Sequence, residues 1–382
     1  MEDIKRILSL KKDLERKSVL LLGPRQTGKT TFLNTQIKFD KTFNLLHADI
    51  YTRLSQDPSF LRKSLLEKDK LILIDEIQKL PVLMDEVHAL IEEKKVRFVL
   101  TGSSAKKLRT THTGLTGGRL RVRHMFPFVS AELDTFNLNK ILLYGTLPPI
   151  YTSTDPFRDL KDYVGTYLKE EIAAEALARN IASFSRYLKV AASCNTRQLN
   201  FETIGSESQV PSRTVREYFH LLEDTLIGTS LKPLKIKKGR KVTTKPKFYF
   251  FDAGIVNSLR QIKSISSSTE LFGELFEQFL YNEFRAYLSY SEQLDEDTLS
   301  YWRTQRGEYE VDLVANKEIA FEFKSTQKVQ SSDLKSLLAL QDDLKLKKTY
   351  LISRDPFRRI ENGIELLHYQ DFLKELWQGA IL

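Results

Sequence analysis

Val19–Leu22 is an unbroken apolar run closed by Gly23, Leu71–Ile74 is a second closed by Asp75, and residues 96–100, apolar but for Arg97, form a third closed by Thr101. Runs of this length with no alternation predict strands buried on both faces, as in a parallel sheet. A helical pattern follows the first run from Lys29. From Asp155 to Ala192 the periodicity is helical, with Asp155 as N-cap and Pro156 at the first helical position. Tyr163, Tyr167 and Leu168, then Phe184, Tyr187 and Leu188, recur at helical spacing and predict core packing. A short helix around 201–206, a turn at Gln209–Pro211 and a helix opened by Ser212 follow, with Val215, Phe219, Leu222 and Leu226 facing inward. That is the layout of a helix-turn-helix. The Ser-rich stretch 261–269 reads as a linker, and an amphipathic helix begins directly after it.

Beyond that helix the period changes to two. A strand around Trp302, a turn at Gly307, a strand over Tyr309–Val314, a turn at Asn316-Lys317 and a strand over Ile319–Lys324 are expected. Helix over Asp333–Leu344, strand over Thr349–Ser353 and helix over Asp371–Leu376 complete an α/β pattern. Within E-I-A-F-E-F-K-S, Glu322 and Lys324 stand two residues apart and so share a strand face. A strict two-residue turn at 316–317 would set residue 312 opposite 321 and turn Glu322 away from Asp312. A shared face requires a three-residue turn or a bulge.

The 382 residues suggest two or three domains. No apolar run approaches the ~20 residues of a membrane span, the N-terminus has no signal-peptide pattern, and the expected location is the cytoplasm. The single Cys194 excludes an intramolecular disulfide framework and reads as a small buried apolar group. The net charge of +9 suits a polyanionic partner. Eight Lys or Arg and no acid lie from Lys232 to Lys247. As a basic wing beside the helix-turn-helix they would contact DNA phosphates, with Arg213 and Arg216 of the second helix approaching a groove. A solvated basic hairpin is the alternative.

The candidate chemistry begins at Gly23-Pro24-Arg25-Gln26-Thr27-Gly28-Lys29-Thr30-Thr31. A complete G-x-x-x-x-G-K-T loop between strand and helix cradles the phosphates of ATP on backbone N–H groups and the helix N-terminus. Lys29 would reach the β- and γ-phosphates and Thr30 would ligate Mg²⁺. Asp75 would also hold the ion, and Glu76 would orient or deprotonate the attacking water. Ser103 or Ser104 would sense the γ-phosphate. Arg119, after a Gly pair in T-G-L-T-G-G-R-L, is a candidate arginine finger, in cis or towards another copy in a homo-oligomer, or else an ordinary ion-pairing arginine. The order Glu277, Asp312, Glu322-x-Lys324 is that of a restriction-endonuclease-like core. Asp312 and Glu322 would gather Mg²⁺, Lys324 would orient or deprotonate water, and Glu277 would complete the shell, with Glu274 a weaker candidate. A nuclease fold kept only for docking is the alternative.

The whole set resembles the bacterial and archaeal AAA-type ATPases that begin Gly-Pro-Arg-Gln-x-Gly-Lys-Thr and carry Asp-Glu-Ile-Gln-Lys-Leu-Pro. Here these are Gly23–Thr30 and Asp75–Pro81, with Thr-Gly-Ser-Ser at 101–104, Gly-Arg at 118–119 and Phe-Asp-Ala-Gly at 251–254. The resemblance implies ATP hydrolysis and a C-terminal domain of unknown function with a restriction-endonuclease-like core. Glu277 falls on that family's Gly-x-x-x-Glu pattern, beginning at Gly273. The expected fold is therefore α/β: a P-loop AAA-type parallel-sheet ATPase domain (1–135), a helical lid (136–195), a winged helix (196–260) and a restriction-endonuclease-like α/β domain (261–382). Two functions fit: a DNA-directed ATPase with Mg²⁺-dependent cleavage, or an ATP-operated binding switch that cuts nothing.

Overall fold

The computed structural model describes residues 4–104, 118–165, 181–236, 239–292 and 296–382. The chain divides into two compact units, one of residues 3–128 with 224–227, the other of 129–223 with 228–382.

The first unit is built on five strands: β1 (Ser18–Leu22), β2 (Lys41–Asn44), β3 (Leu71–Asp75), β4 (Arg97–Gly102) and β5 (Leu120–His124). Their order is β2-β3-β4-β1-β5, and every neighbouring pair is parallel. The apolar runs are unbroken because both sheet faces are covered; all five residues of β1 are buried. Leu20, Leu22, Ile72, Ile74, Phe98 and Leu100 form one core with Leu83, Val87 and Leu90 of the helix Leu83–Glu93. β4 is inserted between β1 and β3. Leu22 pairs with Gly102 and Ile74 with Leu100, so the carboxyl ends of the three central strands share one edge. In parallel sheets that edge is where ligands bind.

The second unit holds the helices Leu138–Tyr144, Pro148–Tyr151, Pro156–Asp162 and Ile181–Ser193. Asp155 caps the third, accepting from Arg158 N at 3.2 Å, with Pro156 at its start. Tyr163, Phe184, Tyr187 and Leu188 are buried, as the periodicity predicts; Tyr167 and Leu168 lie outside the described residues. These helices fold with the second unit.

The helix-turn-helix consists of Phe201–Ser208 and Ser212–Asp224. Gly205 sits where a Cβ would lie 2.7 Å from Val210 O, which lets the turn close. Val215, Phe219 and Leu222 face inward, but Leu226 lies past the end of the helix and packs on the core of the first unit. β6 (Gly228–Leu231) and β7 (Lys247–Phe250) pair antiparallel. The segment between them does not project as a wing. It lies along β8 (Leu299–Arg303), through bridges Pro233↔Tyr301 and Val242↔Thr304. Leu234 is buried against Trp302, Val311 and Leu337, with Ile236 and Val242 packed beside it. Arg240 pairs with Asp343 at 2.9 Å and Asp342 at 3.3 Å. The apolar residues 234, 236 and 242 were the signal: burying them outweighs solvating the segment. Lys237 and Lys238 lie outside the described residues.

Six strands complete the unit: β8, β9 (Glu310–Ala315), β10 (Ile319–Phe323), β11 (Lys348–Ser353), β12 (Arg359–Glu361) and β13 (Ile364–His368), ordered β12-β13-β11-β10-β9-β8. β8, β9 and β10 form an antiparallel meander, and β10, β11 and β13 are parallel. The long helix Glu270–Ser291, capped by Thr269, buries Phe272, Phe276, Leu280 and Phe284. Ala315 pairs with Ile319, so the β9–β10 loop has three residues, with Asn316 and Lys317 at positive φ. Continued past Phe321↔Leu313, this register brings Asp312 opposite Glu322 on one face, as the sequence required.

Candidate functional site

Two groups of chemically active side chains stand in the two units. In the first, the Gly23–Thr30 loop leaves β1 and enters the helix Lys29–Gln36. Gly23 passes so close to Met125 that a Cβ would lie 2.5 Å from its carbonyl oxygen, and Gly28 has φ +88°. Both positions therefore require glycine. Lys29 Nζ turns back over the loop and donates to Gly23 O at 2.7 Å and Pro24 O at 3.1 Å. Burial lowers its pKa to about 8, opposed by the carboxylates of Glu76 and Asp75. A phosphate group would supply the anion this ammonium lacks.

A chain of hydrogen bonds runs along the carboxyl edge of the sheet. Thr30 Oγ1 donates to Asp75 Oδ2 at 3.1 Å, and Thr101 Oγ1 donates to the other oxygen of Asp75. Thr101 in turn accepts from Glu76 N at 2.9 Å. Gln78 Nε2 bonds the Glu76 carboxylate and, at 3.1 Å, Ser103 Oγ. Glu76 itself has φ +61°, a conformation with a real cost for a residue with a side chain. Thr101 and Gln78, which carry no role in the motif, complete the chain between Asp75, Glu76 and Ser103. Thr30 and Asp75 would hold Mg²⁺ and the Gly23–Thr30 backbone would receive phosphate oxygens; the bonded Thr30–Asp75 pair fits a nucleotide with its metal ion. Thr31 is exposed on the first helical turn.

Arg119 does not join this group. It precedes β5, and Ser18 pairs with Leu120 while Leu22 pairs with His124. Arg119 therefore lies at the end of the sheet away from the loop, roughly 15 Å off by the strand rise, and is ion-paired with Glu92. That placement speaks against the cis role and leaves the ordinary ion-pairing arginine, as its pairing with Glu92 shows, or action towards another copy.

In the second unit, Glu277, Glu310, Asp312 and Glu322 converge beside a cleft of about 510 Å³. Their centre is held by Lys247, the first residue of β7, with only 2% of its surface exposed. Its Nζ is 3.0 Å from Glu277 Oε1 and 3.4 Å from Asp312 Oδ1, and it is ion-paired with Glu310. Burial opposes this charge, but Glu277, Asp312 and Glu310 outweigh it and hold its pKa well above the ordinary lysine value. Tyr249 donates to Glu277 Oε1 at 2.6 Å. Lys247 thus belongs to this centre and not to a DNA-facing surface.

Glu322 and Lys324 are ion-paired at 2.6 Å, on the Oε1 side of the carboxylate. Glu322 is buried, which with Asp312 opposite pushes its pKa up to about 8. Its Oε2 has no hydrogen-bond partner among the described residues. Glu322, aided by Asp312, holds the Lys324 pKa above its ordinary value against burial. This favours the charged form of Lys324 beside Glu322. Glu274 is neutralised by Arg197 and Arg260 at the same cleft. In this arrangement the centre does not fit a divalent ion at Glu277, Asp312 and Glu322, because an ammonium stands among them. Among the described residues no group of three or more His, Cys, Asp or Glu is disposed to hold a metal ion.

Comparison with known proteins divides the chain in three. Residues 15–133 match the family described as AAA domain, 135–266 a domain of unknown function (DUF8612) and 272–371 a domain of unknown function (DUF4143). The chain is 27% identical over 348 residues to the uncharacterized protein Rv2008c of Mycobacterium tuberculosis, and equally to Mb2031c of Mycobacterium bovis. These alignments cover 87% of this chain and 76% of each relative. Among solved structures, Drosophila ORC bound to AT-rich DNA and Cdc6 aligns with a TM-score of 0.23 and 10% identity, over 65% of this chain and 86% of that one. The complex with GC-rich DNA gives 0.22 and 9% over the same shares. The N-terminal unit therefore carries an AAA-type P-loop domain, and the C-terminal part a domain of unknown function. No helix among the described residues is long and apolar enough to cross a membrane.

Proposed function

We propose that this chain is an ATP-hydrolysing switch that couples its nucleotide state to DNA binding. The observation that carries the ATPase reading is the alignment of Thr30, Asp75, Glu76 and Ser103 along one sheet edge through a continuous set of hydrogen bonds, beside Lys29 folded over the loop. Bound at Thr30 and Asp75, Mg²⁺ would offset charge on the β- and γ-phosphates. Lys29 would exchange its two backbone carbonyls for phosphate oxygens. Glu76, held by Gln78, would orient the attacking water and accept its proton. Through the same Gln78, Ser103 would register loss of the γ-phosphate. Glu76→Gln should reduce turnover by about a hundredfold or more while ATP still binds. Wild-type turnover in that variant would remove Glu76 from the mechanism.

DNA as the partner is supported by the exposed start of the second helix of the helix-turn-helix. The Arg213 side chain is 93% exposed, and Arg216 lies exposed over the Phe201 ring at 5.0 Å. Lys232, Lys235, Lys241 and Lys245 remain exposed even though their segment is docked on β8. Phosphate contacts by such groups are sequence-independent and salt-sensitive.

A second reading, metal-dependent cleavage of nucleic acid by the C-terminal domain, is favoured by the shared face of Asp312, Glu322 and Lys324. It requires a divalent ion where Lys247 now stands.

A further inference from the structure

We propose that Lys247 is the resident cation of the acidic centre, and that it excludes a divalent ion from a place the surrounding carboxylates would otherwise offer. The inference concerns the second unit alone and does not depend on ATP hydrolysis in the first.

Four carboxylates, Glu277, Glu310, Asp312 and Glu322, converge on a small buried volume. Carboxylates gathered this way without compensation repel one another strongly, and buried charge must be paired. Three cations answer them. Arg303 pairs with Glu310 from the outside, and Lys324 takes one oxygen of Glu322. Lys247 alone reaches three of the four. The Tyr301 ring centre lies 5.5 Å from its Nζ, and Tyr249 donates to Glu277.

Lys247 is not a side chain that swings in from solvent. Its backbone is paired with Leu231 in β6, and the residues on either side are tied to the start of the helix-turn-helix. Leu199 N donates to Pro246 O at 2.9 Å and Phe248 N donates to Arg197 O at 3.2 Å. The strand that carries it is buried along its whole length, and the ammonium is held on three carboxylates. The cation is therefore part of the fold, and it joins the hairpin beside the helix-turn-helix to the helix Glu270–Ser291 and to β9. A hard divalent ion needs the same oxygens. Glu322 Oε2, buried and without a partner among the described residues, is a further oxygen such an ion could use once Lys247 is gone.

The test uses the full chain without nucleotide and Mn²⁺ as the probe, followed by calorimetry and by Mn²⁺ electron paramagnetic resonance. Wild type should show no Mn²⁺ binding that depends on Asp312. Lys247→Ala should gain one Mn²⁺ per chain, at least tenfold tighter than any wild-type binding. That site should vanish in Lys247→Ala with Asp312→Asn. Mn²⁺ should raise the melting temperature of Lys247→Ala and leave wild type unchanged, so a weakly folded variant still reports. If the variant does not fold at all, wild type beside Asp312→Asn decides: equal Mn²⁺ binding supports the proposal. Wild-type Mn²⁺ binding lost in Asp312→Asn overturns it, as does a folded Lys247→Ala that gains no Mn²⁺.

Discussion

At the scale of single residues, burial sets the chemistry. Glu283 shows this apart from either candidate site. Its carboxylate accepts from Ser130 N and Ser130 Oγ, both at 2.7 Å, and from Trp377 Nε1 at 2.8 Å. Burial nevertheless outweighs these bonds and pushes its pKa from 4.5 up to about 7. The folded value lies above the unfolded one, so the folded chain binds more protons between them. Its contribution to stability is thus fully present below about pH 4.5 and is lost as pH rises through about 7. Glu283→Gln has no charge to lose. The stability of wild type relative to this variant should fall between pH 5 and 7 by up to about 3 kcal/mol. Urea unfolding at several pH values measures it, and parallel curves would contradict the assignment.

The elements set which side chains meet. The β9–β10 hairpin carries Asp312 and Glu322, and its three-residue loop sets their register. This register sets Phe321 on the opposite face from Glu322, where it is fully buried, so Phe321→Ala tests it. A loss of roughly 3 kcal/mol or more is expected from urea unfolding, and wild-type stability would contradict the register argument. This part of the fold was legible in the sequence, because a side-chain period of two leaves few ways to bring two named carboxylates together. The P-loop was legible for a similar reason: its glycines, lysine and threonine answer a local demand of backbone and phosphate. The fate of the 232–247 segment was not. Its eight cations dominate a reading by composition, while Leu234, Ile236 and Val242 decide where it packs. Nor does sequence order disclose that Lys247 and Glu277, thirty residues apart, become partners. Arg119 shows the same limit: its motif suggests a finger, but the pairing of β5 with β1 sets it at the wrong end of the sheet.

At the scale of the whole molecule, an AAA-type P-loop domain is joined in one chain to a helix-turn-helix and an α/β sheet whose acidic centre holds its own cation. An ATP-operated switch follows more directly from this than an ATP-dependent cutter does. The central claim is that nucleotide turnover and DNA engagement are coupled. Steady-state ATP hydrolysis by the full chain tests it most directly, with and without duplex DNA at low salt, beside Lys29→Ala and the double variant Arg213→Ala with Arg216→Ala. The account predicts turnover that vanishes in Lys29→Ala, changes several-fold with DNA, and loses that response in the arginine variant while its basal rate stays intact. Turnover unaffected by DNA would contradict the coupling, and turnover that survives in Lys29→Ala would contradict the ATPase assignment itself.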